Sequence, residues 1–204
     1  MENKTRIFNW IRKILKFYPI EVCLRKLTIG KRSSSFIGRL VPNNYQYDSN
    51  SIREFNYYGV NLSVNISDYV GHYLYFGFKD YSNESLISLV SPGSRIIDIG
   101  TNIGATALQL ALHAGNEGFV YGFEPDTVNY LKCIENIKLN NIRNIFVENI
   151  GLGKQEATLN MIVETPLNRG GNRIKNRIDD EDVEQKLVKI TTLDKWVKNK
   201  DNLS

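Results

Sequence analysis

Two acids and two glycines are spaced as a small-molecule site would need them. Residues 98–104 read DIGTNIG, and Glu124 follows in VYGFEP. A carboxylate presents paired acceptor oxygens and can take both hydroxyls of a ribose in a charge-assisted contact. Asp98 stands where it can order a glycine turn or meet an ammonium group. Gly100 and Gly104 are separated by three residues, so the turn lacks the GxGxxG spacing through which a backbone approaches a pyrophosphate. Asn102 interrupts the glycine track and would crowd a diphosphate, while leaving room for an uncharged thioether or a sulfonium. No Lys-Ser or Lys-Thr pair follows to grip a phosphate. The composite is a site for a nucleoside with a charged amino-acid tail and no phosphates, which describes S-adenosylmethionine. The residues alone leave a second reading open, in which DIG ends a strand, FEP makes a turn and both acids are merely solvated.

These side chains need elements to hold them. Arg95 to Ile99 is an apolar run bounded by Pro92-Gly93, and ATALQLALHA continues as a helix to about Ala114. A second strand is predicted at 119–123, a second helix from Thr127, and a third strand at 145–150. Strand, helix, strand, helix, strand at this spacing predicts an α/β fold with a mostly parallel, Rossmann-like sheet. Ligands sit at the carboxyl ends of such strands, where Asp98 with Gly100, then Glu124, then Asn149 with Ile150 fall. Upstream, strands are predicted at 60–68 and 72–78. SNESLISL is expected to form a short helix capped by Ser82 or Asn83. His72 is a candidate base, with a core role the commoner fate, and His113 ends a helix. Asp194 reads as a cap for DKWVKN. The polar segment 164–186, with Arg169 to Gly171 and the acids Asp179 to Asp182, reads as a loop over an acceptor or as a solvated spacer.

The formal charge is +4 over 204 residues, unevenly spread. Residues 1–40 hold ten Lys or Arg against Glu2 and Glu21, a local net of +8. Residues 4–18 place Ile7, Trp10, Ile11, Ile14, Leu15 and Tyr18 on one helical face, with Arg6, Arg12, Lys13 and Lys16 on the other. Such a face can pack on the body or lie on an anionic membrane surface. Nucleic acid is the lesser partner, because aromatics and cations segregate instead of sharing one surface. Residues 36–58 read as a polar connector, giving an arm and connector at 1–58 and a catalytic domain at 59–204 with its cofactor core at 93–163. Two cysteines without a CxxC and two histidines do not make a structural zinc site. They suit a reducing, cytoplasmic compartment, with the arm able to reach the inner membrane surface.

Three stretches, DIGTNIGATALQLA (98–111), VYGFEPDTVNYLKCIENIKLNN (120–141) and VENIGLGKQEATL (147–159), resemble the FkbM family of S-adenosylmethionine-dependent methyltransferases. TTLDKWV (191–197) and the lead-in at 59–78 are similar to further family segments. The resemblance implies that Asp98, Gly100, Asn102 and Gly104 form the loop on the methionine side, that Glu124 binds the ribose, and that Asn149 and Ile150 flank the adenine. It implies a hydroxyl acceptor on a sugar, a lipid-linked compound or a secondary metabolite. Thr101 stands where Ala is usual. Members usually continue after TLDKWV with another strand, whereas this sequence stops at Ser204. The expectation is therefore a truncated, incomplete sheet whose first strand offers an unpaired edge, and hence marginal stability or self-association. Rival expectations are a catalytically incomplete fragment and a nucleic-acid-binding protein acting through its arm.

Overall fold

The computed structural model describes residues 12, 14–163, 165, 167–174 and 184–199. Most of the predicted amphipathic segment at 4–18, and the acids Asp179 to Asp182, lie outside the described residues. Of that segment's polar face, Arg12 donates to the Arg39 carbonyl at 2.9 Å, and the Lys16 ammonium donates to the Gln46 carbonyl.

Helix α1 (Tyr18–Thr28) begins with Pro19 in its first turn, where the missing N–H costs nothing. Glu21 near its start and Arg25 and Lys26 near its end suit the helix dipole. Glu21 is fully buried and receives a two-pronged contact from Arg53, at 2.7 and 3.1 Å. Arg25 donates to the carbonyls of Tyr75 and Asn56. The C-terminal part of the basic region is thus bolted to the body. The predicted connector holds helix α2 (Phe36–Leu40), capped by Ser35, a 3-10 turn at Asn44–Gln46 and strand β1 (Ile52–Tyr57).

Strand β1 pairs with β2 (Val60–Asn65) in an antiparallel hairpin that crosses the 58/59 boundary. Its two turn residues, Tyr58 and Gly59, both have positive φ, the geometry that matches strand twist in a two-residue hairpin.

The predicted strand at 72–78 is instead helix α3 (Tyr69–Tyr75). The stretch is aromatic without alternation, and its buried residues Gly71, His72, Tyr75 and Phe76 follow helical spacing. Asp68 fixes the start, accepting from the amides of Val70 and Gly71. Gly71 lies so close to the hairpin that a Cβ would sit 2.3 Å from the Asn65 carbonyl oxygen. Helix α4 (Tyr81–Ser88) is capped by Asp80, two or three residues earlier than expected from Ser82 or Asn83.

Then come β3 (Arg95–Ile99), α5 (Ala105–Ala114), β4 (Phe119–Phe123), α6 (Thr127–Lys138) and β5 (Ile145–Glu148). The three strands form a parallel sheet in the order β3-β4-β5, a Rossmann-like α/β unit. One face packs under α5 through Val120 against Ala107, Leu110 and Ala111. The third strand ends at Glu148, short of the predicted 150, because β6 (Gly151–Leu152) belongs to a second sheet.

That sheet contains β7 (Ala157–Ile162), β8 (Arg173–Ile174) and β9 (Gln185–Thr191) in the order β6-β9-β7-β8. Helix α7 (Leu193–Lys198) is capped by Thr192 rather than by the predicted Asp194, which lies inside its first turn. Its Trp196 packs edge-on against Tyr121 and Phe123, covering part of the parallel sheet's second face. Among the described residues β3 is an edge strand, and its Ile97 and Ile99 are 42% and 63% exposed on that face.

Candidate functional site

The loop joining β3 to α5 is built from left-handed backbone. Gly100, Asn102 and Gly104 have φ of 83°, 52° and 87°. Asparagine is the non-glycine residue best suited to such a position, and the Asn102 side chain accepts from the Ile103 amide at 2.7 Å. The loop hangs from the end of the neighbouring strand, since the Gly100 and Thr101 amides both donate to the Phe123 carbonyl. Gly122 leaves the space for Thr101, because a Cβ there would meet the Thr101 hydroxyl at 2.6 Å.

Register places the two acids on one side of the sheet. Asp98 lies opposite Gly122 in the parallel pair, and Glu124 stands two residues beyond Gly122. Glu124 is 6% exposed. One of its oxygens accepts from the Asn102 amide at 2.7 Å and the other from the Asp126 amide at 2.9 Å. Burial pushes its carboxyl up, opposed by these two backbone bonds. The acid therefore holds the loop's shape from beneath.

Asp98 is in a different situation. Its Oδ2 is buried with no hydrogen-bond partner. Burial raises its pKa, with partial opposition from the Thr101 hydroxyl. An acceptor left without a donor is costly, and the residue that carries it borders a cleft of about 480 Å³. The cleft's lining includes Asp98, Gly100, Asn102, Thr106 and, from the α3 side, Tyr69 and Tyr73. Its size falls within the roughly 300–1,000 Å³ of small-molecule pockets.

Behind the loop stands α6. Cys133 is buried, and its thiol is pushed up to about 12 by burial and by the charges of Asp98 and Glu124. Both acids are felt at one buried sulfur beneath the loop. Gly104 packs directly on it: a Cβ would lie 2.7 Å from Sγ. Changing Gly104 to Ala imposes that clash together with an unfavourable φ, and should destabilise the protein by about 2 kcal/mol in chemical denaturation. Adding Cys133→Ala should recover only the part due to the clash.

Asn149 is not among the residues that line the cleft. Its amide donates to the carbonyls of Glu124 and Pro125 and its oxygen accepts from the Thr127 hydroxyl, so it braces the turn that carries Glu124. Ile150 is half-buried just past β5. His72 is a core histidine: Nε2 donates to the Pro42 carbonyl, and burial lowers its pKa to about 4. His113 bonds back to the Gln109 carbonyl one turn earlier in its own helix.

Asp126, Asn172 and Asn136 are not among the residues singled out from the sequence, yet they hold the site together. Asp126 is 1% exposed, caps α6 and receives Arg169 at 3.3 Å and Asn172 at 2.8 Å. The Arg169 amide in turn donates to Asp68, so residues 167–172 form a strap from α3 to α6 beside the loop. Asn136 is fully buried and ties the Ile103 carbonyl to the Ser63 amide. A signal for it existed: Asn129, Cys133 and Asn136 recur at helical spacing on the buried face of α6, which marks polar groups with partners.

No family model matches this chain, and no curated protein matches it. Partial likenesses are found among solved structures. Trm5b from Pyrococcus abyssi shares 14% identity over 52% of this chain and 31% of its own, at a TM-score of 0.40. TYW2 of M. jannaschii, solved in complex with AdoMet, shares 20% identity over 50% of this chain and 44% of its own, at 0.39. A SAM dependent methyltransferase from Aquifex aeolicus shares 20% identity over 32% of this chain and 36% of its own, at 0.31. The chain spans less than half the length of each of these structures.

Proposed function

We propose that the chain is a methyltransferase domain that takes S-adenosylmethionine as methyl donor and a hydroxyl oxygen as acceptor, related to the FkbM family. The observation that carries this is the unpartnered, buried Oδ2 of Asp98, which borders the cleft on the same side of the sheet as Glu124. An ammonium group supplies the donor that Asp98 lacks, and a nucleoside places its diol toward Glu124. The left-handed turn lies between them. Asn149, and with it Ile150, extends the site toward an adenine ring.

The donor supplies an activated methyl group on a sulfonium. The chain's residues supply binding and orientation: Asp98 holds the cationic tail, Glu124 and Asn102 fix the loop, and the strap through Arg169 steadies the wall. Positioning of this kind is a large share of methyl-transfer catalysis. Calorimetric titration with S-adenosylhomocysteine, the demethylated product, tests the reading. Saturable binding at micromolar concentration is expected, with no heat from NAD or ATP. Absence of binding by the product, with an intact folded protein, would remove the proposal.

The chain is further read as touching an anionic lipid surface through its N-terminal helices. Phe17, Leu27 and Phe36 are exposed there among Lys26, Lys31 and Arg32, a combination suited to the bilayer interface. No helix among the described residues is long and apolar enough to cross a membrane. Flotation with phosphatidylglycerol vesicles should carry the protein upward, and neutral vesicles should not. Equal partitioning in both would end this part of the reading.

A further inference from the structure

Tyr58 stands at the first position of the two-residue hairpin turn with a φ of 46°. Asn, Asp and Gly suit that left-handed backbone, and a bulky aromatic residue there is strained. Tyr58 is 54% exposed, and its ring stands nearly edge-on to that of Tyr57, at 74° with centroids 4.8 Å apart. Both residues border a cleft of about 260 Å³ between the hairpin, α4 and α5, which Phe78 and Ile87 also line. Strain of this kind persists where it serves a site.

The cleft is acidic as well as aromatic. Asp80 and Glu84 line it, with no Lys or Arg among its described lining residues. Asp80 gives one oxygen to the amides of Ser82 and Asn83, and its other oxygen has no partner among the described residues. Glu84 pairs loosely with Lys79, at 3.6 Å. Burial pushes the pKa of the Tyr57 hydroxyl up, and the charges of Asp80 and Glu84 add to the rise, so this wall is a neutral phenol in a negative field. Asn83 also borders the cleft. It spends its NH2 group on Gln109 at 2.7 Å, while its Oδ1 is buried without a hydrogen-bond partner. His113 donates from Nδ1 to the Gln109 carbonyl, which leaves Nε2 of the neutral ring as a further acceptor.

We infer that this cleft binds a small primary alkylamine in its ammonium form. Aromatic faces attract cations, most strongly where water is displaced. An ammonium group carries three N–H donors and no acceptor, so it can serve the free oxygen of Asp80 and the orphaned one of Asn83. A quaternary ammonium has no hydrogen to give them. The alkyl stem is received by Tyr57, Phe78 and Ile87. The volume lies below the roughly 300–1,000 Å³ of drug-sized sites, so the ligand is a few carbons long. Asp80 also borders the Asp98 cleft, yet the amine site stands without the methyl-donor reading, and no donor is needed to test it.

NMR titration of the full chain at about pH 7.5, where an alkylamine is charged and an imidazole ordinarily neutral, is the test. The probes are n-pentylamine, pentyltrimethylammonium and hexanoate, three head groups on one pentyl stem. The amine should bind saturably, at least about tenfold more tightly than hexanoate and about fivefold more tightly than the quaternary ion. Tyr58→Asn gives the turn the residue it favours, so it should melt no lower than wild type while weakening the amine about fivefold. Tyr58→Phe keeps the ring and should keep the binding. Asp80→Asn retains a capping oxygen and should weaken the amine about tenfold. The proposal is overturned if hexanoate matches the amine, which would mark a merely apolar hollow. It is equally overturned if the quaternary ion binds as tightly, or if Tyr58→Asn binds the amine as wild type does.

Discussion

Replacing Glu124 with Ala should lower the unfolding free energy by about 3 kcal/mol and weaken S-adenosylhomocysteine binding about a hundredfold. Both effects have one origin. The two carboxylate oxygens accept from the amides of Asn102 and Asp126, and the side chain is almost wholly buried. Without them, two backbone donors lose their acceptors in a place with little water, at about 1–3 kcal/mol each. Against the 5–15 kcal/mol that holds a typical domain together, the loss is large. The loop between Gly100 and Gly104 then loses the anchor that sets its left-handed turns. Glu124→Gln should fall between wild type and Ala. It keeps one acceptor oxygen but turns an NH2 group toward the other amide. Denaturant midpoints and titration heats for the three proteins give the order directly. A wild-type midpoint for Glu124→Ala would show that the carboxylate does not carry the loop.

Asp98→Asn should have the opposite signature, stabilising the free protein while abolishing tight binding of the donor. Burial raises the pKa of Asp98, the Thr101 hydroxyl opposing it only in part, and Oδ2 has no hydrogen-bond partner. The sign follows from linkage. A raised pKa means that the folded state holds the proton more tightly than the unfolded one. Folding is favoured below the ordinary aspartate range, and that advantage is lost as pH rises through the folded-state pKa. At pH 7 the ionised side chain is a net cost. Asn removes the charge and should raise stability by about 1 kcal/mol. Thermal melts from low to neutral pH should show the two proteins converging at the acid end and diverging as pH rises. Binding should move the other way, because the neutral amide cannot pair with an ammonium. A residue retained at a cost to stability is what a ligand-binding acid looks like.

The parallel unit was readable from residues 95 to 148 because two signals agreed there. Short apolar strands alternated with helix-period segments, and glycines or a proline marked each turn. Strand β4 falls on its predicted bounds, 119–123, for that reason. The reading failed where aromatic content stood in for pattern. The aromatic run HYLYFGF suggests a strand, yet burial of Gly71, His72, Tyr75 and Phe76 follows the helix period. Strands β7 and β9 pair with each other antiparallel in a separate sheet. Local periodicity reports a strand's existence and says nothing about its partner.

At the site, the identities of Asp98 and Glu124 were visible while their surroundings were not. That Glu124 spends its oxygens on backbone amides depends on the loop's curvature, which only the folded chain defines. Asp126 follows the FEP turn with no pattern to mark it. Its partners, Arg169 and Asn172, are more than forty residues away in a segment too polar to read as structural. Asn149 was singled out for a ligand and is found bracing the Glu124 turn. Long-range polar contacts of this kind leave no periodic trace in a sequence.

A crystal structure of the protein with S-adenosylhomocysteine bound would decide the central point. The ligand's amino group is expected within hydrogen-bond distance of the Asp98 carboxylate, with its ribose hydroxyls turned to Glu124 and its sulfur facing Tyr69 and Tyr73. A ligand lodged elsewhere, or a complex in which the Asp98 carboxylate gains no donor, would contradict it.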